Sequence, residues 1–310
     1  MGKFEEMRAK AEFLDASDPL GTFRERFVIP QGRVYMDGNS LGLPPRESIE
    51  GVLRVLNEWK TLNIDGWLEG RIPWFTLPEE MGRRMAPLVG ALPEEVVMSG
   101  STTSNLHSLV LTFYQPEGKR RKILADELNF PSDLYALASE ICLKGGNPAE
   151  DLVLARSRDG STLEESDLIG LMDETVSVVL LPSVLYRSGQ LLNMERLTRA
   201  AHEKGIFIGF DCAHSAGSVP HRLHDWDVDF AFWCSYKHLN GGPGSPAFLF
   251  LNERHFGREP GLAGWFGYVK DRQFDMKIDF EHAKSAGGWQ LGTPSVLSAA
   301  TLEAALKIQE

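Results

Sequence analysis

The sequence predicts an α/β fold built on a mostly parallel sheet covered by helices on both sides. Three observations carry that prediction. Short apolar runs recur along the chain and are hydrophobic at consecutive positions, as in 176–181 and 230–233, which suits strands buried on both faces. Stretches of helical periodicity separate the runs, the alternation expected of parallel strands joined by crossovers. Polar clusters with chemical potential stand just after the runs, where open α/β sheets bind ligands.

Residues 1–13 (MGKFEEMRAKAEF) alternate charged and apolar side chains at helical spacing and lack the unbroken apolar core of a secretory signal. Residues 46–62 read as a helix with Ile49, Val52, Leu53 and Leu56 on one face. Pro44 and Pro45 stand just ahead of it, where proline is tolerated. Val96–Met98 is a short strand leading into the polar cluster Ser99–Ser104, and the apolar run Leu106–Leu111 predicts a helix that starts there. Residues 121–125, 176–181, 206–210, 230–233 and 247–251 read as strands. The stretch 193–204 is helical, and Gly205 closes it just past the C-cap. Residues 295–310 read as an amphipathic helix with Ser295 as candidate N-cap; it reaches Glu310 without a glycine or proline stop, so the sequence reads as cut there.

A length of 310 residues allows one large core or two unequal domains. Hydrophobic residues at 43% and charged residues at 24% fit an ordinary globular chain. The net charge of −11 argues against non-specific binding to nucleic acid or an anionic membrane. The apolar runs, Val178–Leu181 among them, are far short of a membrane span. Cys142, Cys212 and Cys234 show no CxxC spacing, so they form neither a disulfide framework nor a zinc site, and no metal is expected. They read as small buried hydrophobes in a reducing compartment, which points to the cytoplasm.

The chemistry gathers around two strand ends. In IFIGFDCAHS (206–215) an apolar run ends at Asp211, with His214 three residues on. In FAFWCSYKHLNGG (230–242) a second run leads into Tyr236, Lys237 and a glycine pair. A lone loop lysine is ordinarily a solvated charge. Here the aromatic strand before it and the Gly241-Gly242 turn after it would desolvate the amine, lower its pKa and make it nucleophilic. Pyridoxal 5'-phosphate (PLP) needs this pairing: a lysine for the imine, and a carboxylate that keeps the pyridine nitrogen protonated. The cluster SGSTTSN (99–105) at a helix start offers hydroxyls and N–H groups for the phosphate, although a plain capping cluster has the same composition. In NFPSD (129–133), Phe130 precedes a proline and so sits in extended backbone. Its ring suits stacking on the pyridine and Asp133 offers a second carboxylate; taken alone, they read as a core residue and a helix cap.

At these positions the chain resembles kynureninase, a family of the aminotransferase-like PLP superfamily with the class-V aminotransferase fold. The resemblance runs along nearly the whole sequence. It includes MDGNSLGLPP (36–45), GWLEGRIPW (66–74), TTSNLH (102–107), NFPSD (129–133), YRSGQ (186–190) and GFDCAHSAG (209–217). It continues through LHDWDVDFAFWCSYKHLNGGPG (223–244), GWFG (264–267) and WQLGTPS (289–295). The Asp-x-Ala-His and Ser-Tyr-Lys patterns belong to the superfamily; WCSYKHLN with GNSLGL, FPSD and GWFG belongs to the family.

The resemblance implies roles. Lys237 would hold PLP as a Schiff base and then shuttle the substrate α-proton. Asp211 would pair with the pyridine nitrogen, with Asp133 close by, and Phe130 would stack on the ring. Thr102, Thr103, Tyr236 and Trp265 would hold the phosphate or its surroundings, and His214 would lie beside the cofactor. Thr293 joins the cofactor's surroundings, and it and Trp265 are candidates for delivery by the partner subunit of a homodimer with shared active sites. Asn39, Ser40, Trp67 and Thr293 would contact the substrate. The Trp67/Thr293 pair looks like the bacterial type, which prefers L-kynurenine to its 3-hydroxy form. The implied reaction is hydrolysis of the Cβ–Cγ bond of L-kynurenine to anthranilate and L-alanine, in tryptophan catabolism and NAD biosynthesis. Tyr236 is the plausible acid for the β-carbon.

The implied organisation is an N-terminal arm or small-domain segment at 1–45, a large PLP-binding domain at 46–292, and the start of a truncated C-terminal small domain at 293–310. Family members continue into that domain, which supplies an arginine for the substrate α-carboxylate; no residue here corresponds to it. A hydroxyl that touches the cofactor in many relatives falls near Leu181-Pro182-Ser183 and is not assigned. Two other readings stay open: another class-V-type PLP enzyme (cysteine desulfurase or aminotransferase), or a non-catalytic truncated PLP-binding scaffold. A desulfurase needs a reactive cysteine on a mobile loop, whereas the three cysteines here lie in or beside apolar segments.

Overall fold

The computed structural model describes residues 2–310. The chain opens with α1 (Lys3–Ser17), α2 (Arg46–Leu62), the short α3 (Gly66–Glu69) and α4 (Leu77–Met85). The sheet region follows as β1 (Val96–Met98), α5 (Thr102–Phe113), β2 (Lys122–Asp126), α6 (Pro131–Leu143), α7 (Pro148–Asp151) and β3 (Leu152–Ala155). It continues through α8 (Glu165–Leu171), β4 (Val176–Pro182), α9 (Met194–His202), β5 (Phe207–Asp211), β6 (Phe230–Trp233) and β7 (Phe248–Leu251), and α10 (Val296–Gln309) closes the chain.

The seven strands form one sheet in the order β1-β7-β6-β5-β4-β2-β3. The pairs from β6 through β5, β4 and β2 to β3 are parallel, and β7 runs antiparallel to both β6 and β1. No crossover helix separates β6 from β7, so β7 returns against its neighbour. The side chains of β4 divide as a doubly covered sheet requires: Val179 and Leu181 enter one core and Val178 and Leu180 the other. Because β1 is antiparallel to β7, it points the same way as β6. The ends of β1, β2, β4, β5 and β6 therefore share one edge of the sheet.

The strands lie within a residue of their expected positions, except that β3 had no sequence signal of its own. The shift matters at β5, where Asp211 is the last strand residue rather than the first loop residue. Gly205 ends the α9 region with φ +66, and its N–H donates to the His202 carbonyl at 2.9 Å. Three expectations need correction. The Ile49, Leu53 and Leu56 stripe of α2 is exposed; α2 instead meets α10 through Ser48, Gly51 and Val55, because Gly51 lets the Ala300 carbonyl approach where a Cβ would stand 2.6 Å away. Ser295 precedes α10 without capping its backbone; its Oγ accepts from Ser298 Oγ at 2.7 Å. Cys142 is exposed on the outer face of α6, whereas Cys212 and Cys234 are buried as expected. No helix among the described residues is long and apolar enough to cross a membrane.

Candidate active site

Lys237 stands in the loop after β6, half-buried, at the wall of a cavity of about 500 Å³. Its loop is tied down on both sides. Ser235 Oγ donates to the Pro246 carbonyl at 2.5 Å, and Gly241 N–H donates to the Ser235 carbonyl at 2.8 Å. The segment 38–43 straps the loop from outside: Gly42 N–H donates to the Tyr236 carbonyl at 2.8 Å, and Asn240 Nδ2 donates to the Leu43 carbonyl at 2.9 Å. A Cβ on Gly42 would stand 2.3 Å from the Lys237 carbonyl and 2.5 Å from Asn240 Nδ2. Gly42→Ala is therefore expected to destabilise the protein by roughly 1–3 kcal/mol, the usual cost of overpacking. Thermal unfolding checks this, and an unchanged midpoint would mean that the strap is not seated against the lysine loop.

Lys237 Nζ donates to His214 Nε2 at 2.8 Å. Burial pushes the His214 pKa down to about 4, helped by the charges of Lys237 and His238. The ring is thus neutral near pH 7 and offers a lone pair to the amine. Phe130 stands as the N-cap residue of α6 with extended backbone, its ring centroid 6.0 Å from Lys237 Nζ.

Asp211 and Asp133 lie almost wholly buried at the floor. Asp211 Oδ1 accepts the Ala213 N–H at 2.8 Å. Burial raises the pKa of both carboxyls, and that of Asp133 goes well above the ordinary range, because the charge of Asp211 and a hydrogen bond to it hold the Asp133 proton in place. Each carboxyl of the pair therefore holds a proton more readily than an isolated one, Asp133 above all. One oxygen of Asp133 has no partner. Asp126, at the end of β2, is also buried, and burial raises its pKa to about 7.

The cluster at the start of α5 splits into two roles. Ser101 and Ser104 cap the helix reciprocally: Ser101 Oγ accepts Ser104 N–H at 3.2 Å, and Ser104 Oγ accepts Ser101 N–H at 2.7 Å. Thr102 and Thr103 stand in the first turn, whose N–H groups lack helical acceptors, and both line the cavity. Thr103 Oγ1 lies 2.9 Å from Ser132 Oγ. A helix N-terminus with hydroxyls beside it is a seat for a phosphate group.

Asn39, Ser40 and Tyr236 line the same cavity. Burial pushes the Tyr236 phenol up to about 12, with the Cys234 thiol beside it adding to the shift, so it keeps its proton near pH 7. Trp67, Trp265 and Thr293 are not brought to this cavity. Trp67 and Thr293 line a separate space of about 290 Å³, and Trp265 is half exposed, edge-on to Phe266 at 5.8 Å.

Tyr186, assigned no role from its sequence position, lines the cavity. Its ring stands edge-on to Phe130 at 5.5 Å and 6.2 Å from His214, and its hydroxyl accepts from Arg187 Nε at 2.8 Å. The available signal was its position in the connection after β4, at the ligand-binding edge. Ser183, unassigned from sequence, is fully buried and turned toward Ser215, 2.5 Å away.

The aminotransferase class-V family profile matches residues 42–310. The chain is 56% identical over 298 residues to a kynureninase from Shouchella clausii, covering 96% of this chain and 70% of the relative. A kynureninase from Geobacillus thermodenitrificans is 55% identical with the same coverage. Among solved structures, a cysteine desulfurase from Escherichia coli superimposes with a TM-score of 0.76 at 20% identity, covering 94% of this chain and 71% of that one. That likeness speaks for the fold alone. The chain spans about 70% of the length of its curated relatives. With its class-V profile and its identity to curated kynureninases, the chain belongs to the kynureninase family.

Proposed function

We propose that this chain hydrolyses L-kynurenine, and its 3-hydroxy form less well, to anthranilate and L-alanine, using PLP at Lys237, as a step of tryptophan catabolism in the cytoplasm. The observation that carries the reading is the convergence of Lys237 Nζ, the neutral His214 and the Asp211–Asp133 pair in one cavity. The residues present fit PLP. Lys237 would hold its aldehyde carbon, Asp211 its ring nitrogen, Phe130 its face, and Thr102 with Thr103 its phosphate. A buried carboxylate whose neighbour keeps a proton is suited to a cationic ring nitrogen. When bound, PLP supplies an electron sink for negative charge that develops on the substrate α-carbon.

The chain's own groups do the rest. Lys237 would take the α-proton of the bound substrate and give it back before L-alanine leaves, and the lone pair of His214 would fix the direction of its amine. Asp211 would hold its negative charge toward the ring nitrogen, and Asp133 would hold the proton that keeps a second negative charge from the floor. Water adds to the γ-carbonyl, and the Cβ–Cγ bond breaks. Tyr236, protonated near pH 7, places its proton on the β-carbon. Tyr236→Phe is expected to lower kcat about a hundredfold or more while the visible absorption of bound PLP persists; unchanged turnover in single-turnover kinetics removes Tyr236 from this role.

Residues 46–292 would form the large PLP-binding domain, 1–45 an arm, and 293–310 the start of a small domain. A homodimer is supported by the exposed Ile49, Leu53, Leu56 and Trp59 on α2, a contiguous apolar stripe of the kind that marks an interface. In it, Trp265 and Thr293 would reach the partner's cavity, and Trp67 with Thr293 would face the aromatic ring of the substrate. A cysteine desulfurase is disfavoured by the thiols. Burial pushes Cys212 and Cys234 up to about 12 and about 11, and Cys142 lies nine residues along α6 from Asp133, about 14 Å at the helical rise.

A further inference from the structure

The turn after β5 has two faces. One presents Asp211 and His214 to the cavity. The other is held by buried hydroxyls and an imidazole that the mechanism above leaves unused. Ser183, just past β4, donates its backbone N–H to the Asp211 carbonyl at 2.8 Å, and its Oγ stands 2.5 Å from Ser215 Oγ and 3.0 Å from that same carbonyl. Ser215 Oγ stands 2.9 Å from His221 Nε2, and His221 Nδ1 stands 2.7 Å from the Val219 carbonyl. Ser183 and Ser215 are wholly buried and His221 is 6% exposed, so no solvent substitutes for any link.

The polarity of this chain of contacts follows from what each atom can do. A carbonyl only accepts, so His221 Nδ1 carries a hydrogen for Val219. In a neutral imidazole the other nitrogen then has only a lone pair. Burial lowers the His221 pKa and keeps the ring neutral. The Ser215 hydroxyl donates to His221, the nearer of its two acceptors, and its oxygen accepts from Ser183, whose single hydrogen is shared between Ser215 Oγ and the Asp211 carbonyl. Cys212 lies against both hydroxyls as an intact thiol. The turn between them is wound by Ser215 N–H on the Cys212 carbonyl and Val219 N–H on the Ser215 carbonyl, each at 3.0 Å. Asp211 and Val219 mark the two ends of the turn, and the chain of hydroxyls and imidazole connects them.

We infer that His221 is a positioning residue for the reaction. Through Ser215 and Ser183 it fixes the turn that carries Asp211 and His214, and with it the spacing between the buried carboxylate and the Lys237 amine. This rests on the reading of Lys237 and Asp211 given under Proposed function.

The test uses the full chain with PLP and compares His221→Leu, which offers Ser215 no acceptor, with His221→Gln, whose amide oxygen does. PLP affinity and the pH midpoint of the visible absorption are measured beside thermal unfolding, with kcat/KM as a further readout. His221→Leu is expected to move the midpoint, to weaken PLP binding, and to lower kcat/KM by about tenfold to a hundredfold, the scale of a small misplacement at a reacting centre. His221→Gln is expected to return all three toward the parent values. A folded His221→Leu protein with parental midpoint and affinity overturns the inference, as does a His221→Gln protein no better than His221→Leu. Should His221→Leu not fold, Ser215→Ala, which deletes one oxygen, is judged by the same readouts: displaced values support the inference and parental values overturn it. A parent chain without Lys237-dependent absorption overturns the underlying reading as well, and that control separates the two failures.

Discussion

Lys237→Ala is expected to abolish the visible absorption that PLP gives with the parent protein and to lower kcat/KM about ten-thousand-fold, the upper range for a positioned acid–base group. Two proposed functions would be lost together: the amine that bonds the cofactor and the base that takes the α-proton. Lys237 is the one lysine among the described residues that lines the cavity, so no second amine stands ready to replace it. The fold should survive, because the loop is held by Ser235, Gly241 and the 38–43 strap rather than by the lysine side chain. Lys237→Arg makes the sharper comparison. It keeps a cation beside His214 but not a nucleophilic amine, and it is expected to fail as completely as alanine. Absorption spectra and steady-state kinetics check both; an arginine variant with retained turnover would mean that the lysine serves only as a charge.

Asp211→Asn is expected to cost about a thousandfold in kcat/KM, within the range for a group that stabilises developing charge in a water-poor site. Asp133→Asn should cost far less. The asymmetry comes from the proton they share: burial raises both carboxyls, but the hydrogen bond and the charge of Asp211 keep the proton on Asp133. Removing Asp211 takes away the charge itself, whereas removing Asp133 takes away a hydrogen-bond donor to that charge. In the Asp211→Asn protein the Asp133 carboxyl loses its anionic neighbour, so its pKa falls and the residual activity should rise with pH as it ionises. Kinetics across pH for the two variants test this. Greater damage from Asp133→Asn would reverse the assignment of charge and proton.

The fold was legible where physics is local. β4 and β6 read as strands because they are apolar on both faces, and the residues at their ends announced the ligand edge. β3 was not legible: LVLA follows directly on α7, and three of its four residues are only partly buried at the end of the sheet. The contact face of α2 was misread because periodicity counts apolar side chains, whereas the close contact uses the absence of one at Gly51. At the site, Lys237, Asp211, Asp133, Phe130, His214, Thr102, Thr103, Tyr236, Asn39 and Ser40 share one cavity. Periodicity and spacing alone reached only some of them; the resemblance to a family supplied the others. Tyr186 and the Ser183–Ser215–His221 contacts lay beyond that reach, because their meaning depends on which side of a turn each residue takes. Trp67, Trp265 and Thr293 do not line that cavity, and where each settles depends on long-range folding that no local pattern records.

On the proposed reading this cavity binds PLP through Lys237 and uses it to cleave L-kynurenine. Recording the visible absorption of the protein with PLP, adding L-kynurenine, and following anthranilate fluorescence, with Lys237→Ala run in parallel, tests this most directly. An absorption band and rising anthranilate are expected in the parent, and neither in the variant. A folded parent protein that shows no band, or a band without anthranilate, would contradict that reading.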